Sequence, residues 1–277
     1  MSTQTSLAGT STRSLRIAIV GAGAIGRQHM ALVGASAECI LAAVVDPSPA
    51  AMALADRLGL PWFATLDELL ALQPPDAVII ATPNALHADN ALACIGAGVA
   101  ALIEKPIAHT VAEAERLCRA VEAAGARVLI GHRRAHSPLM AKAREVVQQG
   151  RLGRVVAVTG TAMFFKREQT SGENPAYASH DDEDCYLVAG TLGSLAIPTM
   201  RLKTYASAQD RSWYTPFLAT RLQLERRDPL VLQLAHFCAL ARGEVAALVS
   251  ARDGLQNLRV IDAIAQSVHS GCLVEVQ

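Results

Sequence analysis

Three glycines and a carboxylate supply the first chemistry that can be read from this chain. Arg16-Ile-Ala-Ile-Val-Gly-Ala-Gly-Ala-Ile-Gly26 sets Gly21, Gly23 and Gly26 directly after a short β-branched run, and Asp46 closes a second apolar run, Cys39–Val45, twenty residues later. In such an order the first glycine lets the chain turn sharply. The second lets backbone approach a pyrophosphate, and the third lets the next helix pack closely on the strand. That helix, about Ala24–Ala35, would aim its free N–H groups, those of Ala24 and Ile25 first, and its positive dipole end at the phosphates. Asp46 could accept hydrogen bonds from ribose hydroxyls and would repel a 2'-phosphate, so the pattern favours NAD over NADP. A Gly-rich turn in an unrelated α/β protein shares the glycines but not the sequence strand, glycines, helix, strand, acid.

The elements that must hold these residues alternate regularly. Ser48 caps a helix over Pro49–Leu58, with Gly59 past its end, and a short helix covers 66–72. Asp76–Thr82 is the next buried strand, followed by a helix near His87–Gly96 and a strand over Val99–Glu104. Thr110 with Glu113 forms a capping box for a helix that ends at Gly125, and Val128–Ile130 is a further strand. Strand and helix in alternation predict a doubly wound parallel sheet with right-handed crossovers, whose ligand lies at the carboxyl ends of the strands. Polar groups gather at those ends: Gly21–Gly26, Asp46, Thr82-Pro83-Asn84 with His87, Glu104-Lys105-Pro106, and Gly131-His132-Arg133.

Composition narrows the class. The chain has 277 residues, 51% of them apolar, enough for a sizeable core in one large domain or two smaller ones. Lys plus Arg equals Asp plus Glu at 25 each, so no overall field recruits nucleic acid or an anionic membrane, and neither is expected as a partner. No apolar run is long enough to span a bilayer, and the Ser/Thr-rich residues 1–14, read as a frayed tail, lack the apolar core of a secretory signal; a cytoplasmic location is expected. The six cysteines are scattered without a C-x-x-C pair, which predicts buried reduced thiols and no metal site.

The four motifs Gly21-x-Gly23-x-x-Gly26, Ala81-Thr82-Pro83-Asn84-x-x-His87, Glu104-Lys105-Pro106 and Gly131-His132-Arg133 resemble those of the glucose-fructose oxidoreductase and inositol dehydrogenase (Gfo/Idh/MocA) family over residues 15 to about 165. The resemblance implies an N-terminal Rossmann domain, 15–134, that binds NAD or NADP. It implies a second domain, 135–277, with an open, mainly antiparallel sheet that completes the substrate pocket and joins copies into a homo-oligomer. Thr82, Asn84, His87, Glu104 and Arg133 would then line the cofactor, and Lys105 would sit beside the reacting carbon, often aimed by a cis bond before Pro106. Hydride transfer between a hydroxyl carbon and nicotinamide changes the charge on the substrate oxygen, and a nearby ammonium stabilises it. A sugar, cyclitol or related polyol is the expected substrate. Glu104-Lys105-Pro106 argues against a methyltransferase, which would also use a Gly-rich turn.

The resemblance weakens after a helix from Ser137-Pro138 to Gly150 and a strand over Val155–Phe165. The polar stretch 166–180 reads as loop, where the family pattern G-x-x-x-D-x-x-x-H would supply a proton-transferring histidine. The chain thus reads as a member shortened near 166–184. His132 is the candidate acid or base in its place, and a catalytically silent dinucleotide binder is the rival reading. His180 with Asp181, Asp182, Glu183 and Asp184 is a consecutive cluster whose side chains cannot all face one ion, so it reads as a solvated loop. Helices near Pro229–Ala241 and Asp253–His269 are expected to pack on the second sheet. With strands missing, Phe164, Phe165, Trp213, Leu195 and Ile197 are expected to be exposed.

Overall fold

A computed structural model of the chain describes residues 13–161, 184–207, 209–225 and 227–276. They form two units: one holds the residues up to Gly131 and those from Leu234 onward, the other His132–Gln233.

The first unit carries β1 (Leu15–Val20), α1 (Ala24–Gly34), β2 (Cys39–Val45), α2 (Pro49–Leu58), β3 (Trp62–Phe63), α3 (Leu66–Leu72), β4 (Ala77–Ile80), α4 (His87–Gly96), β5 (Ala100–Glu104), α5 (Val111–Ala124) and β6 (Val128–Gly131). The strands are all parallel in the order β3-β2-β1-β4-β5-β6. Strand order reverses between β1 and β4, and that switch point opens a crevice at the carboxyl ends. Ile17, Ile19, Val78, Ile79, Leu102 and Ile103 are buried with no alternation along the strand, because helices cover both faces of a parallel sheet. The helices begin and end where the sequence marks them: Ser48 caps α2, Thr65 and Thr110 close capping boxes on α3 and α5, and Gly59 and Gly125 take left-handed C-cap conformations.

The second unit contains α6 (Pro138–Gln148) and the strands β7 (Val155–Gly160), β8 (Tyr186–Gly190), β9 (Gly193–Ile197), β10 (Arg201–Thr204) and β11 (Leu218–Arg221). These pair antiparallel as a meander, β11-β10-β9-β8-β7. Ala143 and Val146 of α6 pack with Leu152, Leu195, Ile197, Met200 and Leu202. Leu195 and Ile197 are therefore core residues, contrary to the expectation that they lie bare: α6 covers their face of the sheet. Trp213 is fully exposed, as expected. The suspected shortening near 166–184, Phe164, Phe165 and His180–Glu183 lie outside the described residues. Asp184, the last of the acidic cluster, accepts hydrogen bonds from the Thr199 amide (3.0 Å) and hydroxyl (2.7 Å), anchoring the turn after β9.

The chain then returns to the first unit through the later turns of α7 (Pro229–Arg242) and through α8 (Ala251–Ser270). The sequence reading placed both helices on the second sheet. Instead, α8 lies against α5 and β6. Gly254 makes the approach possible, since a Cβ there would stand 3.1 Å from Ile107 and Ile130, and Arg259 pairs with Glu115 at 2.7 Å. Ile130 donates its amide to the Val249 carbonyl at 3.0 Å, just ahead of the Ser250/Asp253 capping box.

Candidate dinucleotide site

The glycine turn follows β1. Gly21 has φ +96, where L side chains are strained, and a Cβ on it would stand 2.6 Å from the Ala81 carbonyl oxygen. A Cβ on Gly26 would fall 1.8 Å from the Gly21 carbonyl oxygen, so α1 docks at that distance only with glycine there. Gly23 differs: its Cβ would meet no protein atom within 4 Å, and the residue faces open space as the N-cap of α1. No side chain caps that helix and its first turn holds no acid, while Gly23, Ala24 and Ile25 are exposed. The first-turn amides are thus available to an anion. Packing explains Gly21 and Gly26, whereas no neighbouring protein atom requires glycine at position 23.

Asp46 is tied to this turn. Its Oδ2 accepts the Ala22 amide at 2.8 Å and its Oδ1 accepts the Ser48 amide at 2.9 Å. Burial raises its pKa, but the hydrogen bonds from Ala22 and Ser48 and the nearby Arg27 guanidinium together outweigh burial and hold it below the ordinary aspartate value. The ionised carboxylate has more acceptor sites than these two bonds fill, which leaves room for ribose hydroxyls. Glycine turn, helix terminus and acid fit the adenosine and pyrophosphate of a dinucleotide.

Across the switch point, the segment after β5 is held from two sides. His87, at the start of α4 and 2% exposed, places Nδ1 2.7 Å from the Pro106 carbonyl oxygen and Nε2 2.8 Å from the Thr82 carbonyl oxygen. Both ring nitrogens thus face backbone carbonyl oxygens, and His87 joins the segments that follow β4 and β5. On the other side, Glu104 places Oε1 2.8 Å from Nε2 of the buried His29 and accepts the Lys105 amide on Oε2 at 3.3 Å. Gly131 leaves room for this carboxylate, since a Cβ there would sit 3.1 Å from it. Lys105, exposed, stands between these two anchors, and the Lys105–Pro106 bond is cis.

Of the remaining candidates, Thr82 ends the β4 segment with its Oγ1 buried and lacking a hydrogen-bond partner in the described structure, and Asn84 is exposed at the start of a 3-10 turn, Asn84–Leu86. His132 and Arg133 belong to the second unit, where His132 opens the 3-10 turn Arg133–His136. Sequence reasoning missed His29. Gly26, His29, Met30 and Val33 form the buried stripe of α1, and a histidine in such a stripe requires a polar partner; that spacing was the available signal. Among the described residues no group of three His, Cys, Asp or Glu side chains could hold a metal, and no helix is long and apolar enough to cross a membrane.

Comparison with known proteins agrees with this geometry. Residues 15–132 match the family described as "Oxidoreductase family, NAD-binding Rossmann fold" (Gfo/Idh/MocA). The chain is 36% identical to inositol 2-dehydrogenase of Rhizobium meliloti (strain 1021) over 151 residues, 54% of this chain and 45% of that protein. It is 31% identical to D-xylose 1-dehydrogenase (NADP(+)) 2 of Haloferax volcanii over 69% of this chain and 60% of the relative. The chain thus spans about half the length of the curated relatives it matches. In fold it is similar to the WlbA dehydrogenase of Bordetella pertussis, solved with NADH and UDP-GlcNAcA, at a TM-score of 0.72 and 18% identity over 96% of this chain and 99% of that one. The matched segment holds the glycine turn, Asp46, Thr82–His87 and Glu104–Pro106, and over residues 15–132 the chain is similar to the NAD-binding Rossmann segment of the Gfo/Idh/MocA oxidoreductase family.

Proposed function

We propose that the protein is an NAD-dependent dehydrogenase or reductase that moves a hydride between nicotinamide and a secondary hydroxyl or ketone of a sugar, cyclitol or related polyol. One observation carries the reading: Asp46 with the glycine turn, and Lys105 with its two anchors, stand at the carboxyl ends of one parallel sheet on either side of its switch point. The dinucleotide would supply the hydride acceptor. Gly23 and the first amides of α1 would hold its pyrophosphate, and Asp46 its adenosine ribose, with NAD preferred because a 2'-phosphate would meet an ionised carboxylate. The Lys105 ammonium would stabilise charge on the substrate oxygen. Its backbone is fixed by Glu104 and, through Pro106, by His87, so little reorganisation is needed at reaction. Thr82, Asn84 and Arg133 are proposed cofactor neighbours, and His132 is the proposed proton carrier. Self-association through the second sheet, whose β7 is exposed along its length, and a cytoplasmic location complete the reading.

NADH fluorescence titration and a turnover screen across polyols and sugars, inositol and xylose included, test it. Lys105→Met is expected to lower turnover by about 100-fold or more while leaving NADH affinity nearly intact. Equal loss of both would count against the role given to Lys105. The sequence carries no G-x-x-x-D-x-x-x-H pattern, and this favours a second reading, a silent dinucleotide binder. Saturable NADH binding without turnover on any substrate would select it.

A further inference from the structure

Lys105 lies one residue past the end of the sheet. The pairing of β5 with β6 stops at Glu104 opposite Gly131, so the Lys105 amide lies beyond the ladder. It donates instead to Oε2 of the Glu104 side chain, at 3.3 Å. The other oxygen of that carboxylate stands 2.8 Å from Nε2 of His29, and the two side chains are only 4% (His29) and 13% (Glu104) exposed. Gly131 leaves the space for this, since a Cβ there would stand 3.1 Å from Oε1 of Glu104. Lys105 itself is exposed, so its backbone is held while its side chain reaches solvent.

Docking of α1 does not account for a histidine at position 29. The rest of its buried stripe is Gly26, Met30 and Val33, and an apolar pair at positions 29 and 104 would fill the same space without the cost of desolvating a carboxylate. An apolar pair could not offer an oxygen to the Lys105 amide. A Cβ on Gly26 would fall 1.8 Å from the Gly21 carbonyl oxygen, so α1 is seated hard against the glycine turn, and His29 follows Gly26 by three residues on the same face. The ring is thereby fixed relative to the sheet. With Nε2 as donor it holds the Glu104 carboxylate by one oxygen and leaves the second for Lys105.

We infer that His29 is a positioning residue for Lys105, acting wholly through Glu104. With His87, whose Nδ1 stands 2.7 Å from the Pro106 carbonyl oxygen, it brackets the lysine: one histidine acts on the residue before it, the other on the residue after. The effect on the Lys105 backbone stands without any cofactor. Its consequence for turnover rests on the role proposed for Lys105 above, where an ammonium misplaced by about 1 Å can lose about 100-fold in rate. Loss of His29 should therefore lower kcat and leave NADH affinity nearly unchanged, since Asp46 and the glycine turn keep their own bonds.

The test reads hydrogen–deuterium exchange of the full chain, with overlapping peptides that resolve the Lys105 amide, beside NADH titration and the kcat and KM of the best substrate in the polyol screen. His29→Leu is expected to speed exchange at Lys105 by about 10-fold, and to lower kcat about 10- to 100-fold with KM and NADH affinity nearly unchanged. His29→Gln, whose amide reaches Oε1, should restore most of both, and His29→Asn, one methylene shorter, should not. Glu104→Leu should reproduce the fast exchange at Lys105, and adding His29→Leu to it should change nothing further at that amide. The inference is overturned if folded His29→Leu or His29→Asn exchanges at Lys105 as the wild type does, if exchange rises equally over β1, β4 and β5, or if Gln and Asn behave alike. Wild-type protein that binds no NADH, or turns over no substrate, would instead count against the dehydrogenase, and the exchange result would still decide the role of His29.

Discussion

Asp46 owes its low pKa to hydrogen bonds from the Ala22 amide and from the Ser48 side chain and amide, with the Arg27 guanidinium nearby, and this makes a statement about pH. An unfolded-chain aspartate titrates near ~3.9, above the folded value here. The carboxylate's contribution to stability is therefore complete above that point and is lost as pH falls through the folded-state pKa. Asp46→Ala is expected to lower the urea midpoint at about pH 7, and the gap from wild type should shrink as the pH is brought below ~4. Urea melts at both pH values check this; a gap unchanged across that range would mean that the charge is not what the Ala22 and Ser48 amides respond to. The glycines at this scale were legible in sequence because each has its own physical demand: positive φ at Gly21, docking distance at Gly26, and open approach at Gly23. His87 stood out in the sequence as a candidate site residue, and its bridge between the Pro106 and Thr82 carbonyls was not legible there. Only coordinates show both ring nitrogens facing carbonyl oxygens.

Among the elements, α1 and β5 depend on each other through His29 and Glu104. His29→Leu would leave the half-buried Glu104 carboxylate without a donor on Oε1, a loss expected to cost about 1–3 kcal/mol. The double variant His29→Leu/Glu104→Gln should recover part of it, and a double-mutant cycle by chemical denaturation measures the coupling; strictly additive losses would show that the pair is not coupled. Gly26→Val should be more severe, because its Cβ collides with the Gly21 carbonyl and α1 cannot withdraw without opening the turn; loss of NADH binding together with native near-UV dichroism would be observed. The boundaries of α2 and α5 followed from the sequence, since caps and left-handed glycines are local signals. By contrast β3, β10 and β11 were not anticipated as strands: each has two to four residues, too few for a periodicity to declare itself.

For the whole molecule, the sequence order of elements gave the doubly wound sheet, because alternation leaves few topologies. It did not reveal where the last helices go. α8 has an apolar stripe that could cover either sheet, and the deciding contacts are tertiary: the space at Gly254, and the pairing of Arg259 with Glu115. Gly254→Leu is expected to destabilise by about 1–3 kcal/mol through overpacking against Ile107 and Ile130. Calorimetry would read this as a lower Tm, and an unchanged Tm would contradict the placement of α8. Arg259→Ala, at a partly exposed ion pair, should cost about 1 kcal/mol or less.

The most direct test of the central claim is a fluorescence titration of the purified chain with NADH, run beside Asp46→Ala. Saturable binding is expected for wild type, weakened about 10- to 150-fold by the substitution, as for loss of charged hydrogen bonds to the ribose. Folded wild-type protein that bound neither NADH nor NADPH at millimolar concentrations would contradict the dinucleotide site, and with it both the dehydrogenase and the silent binder.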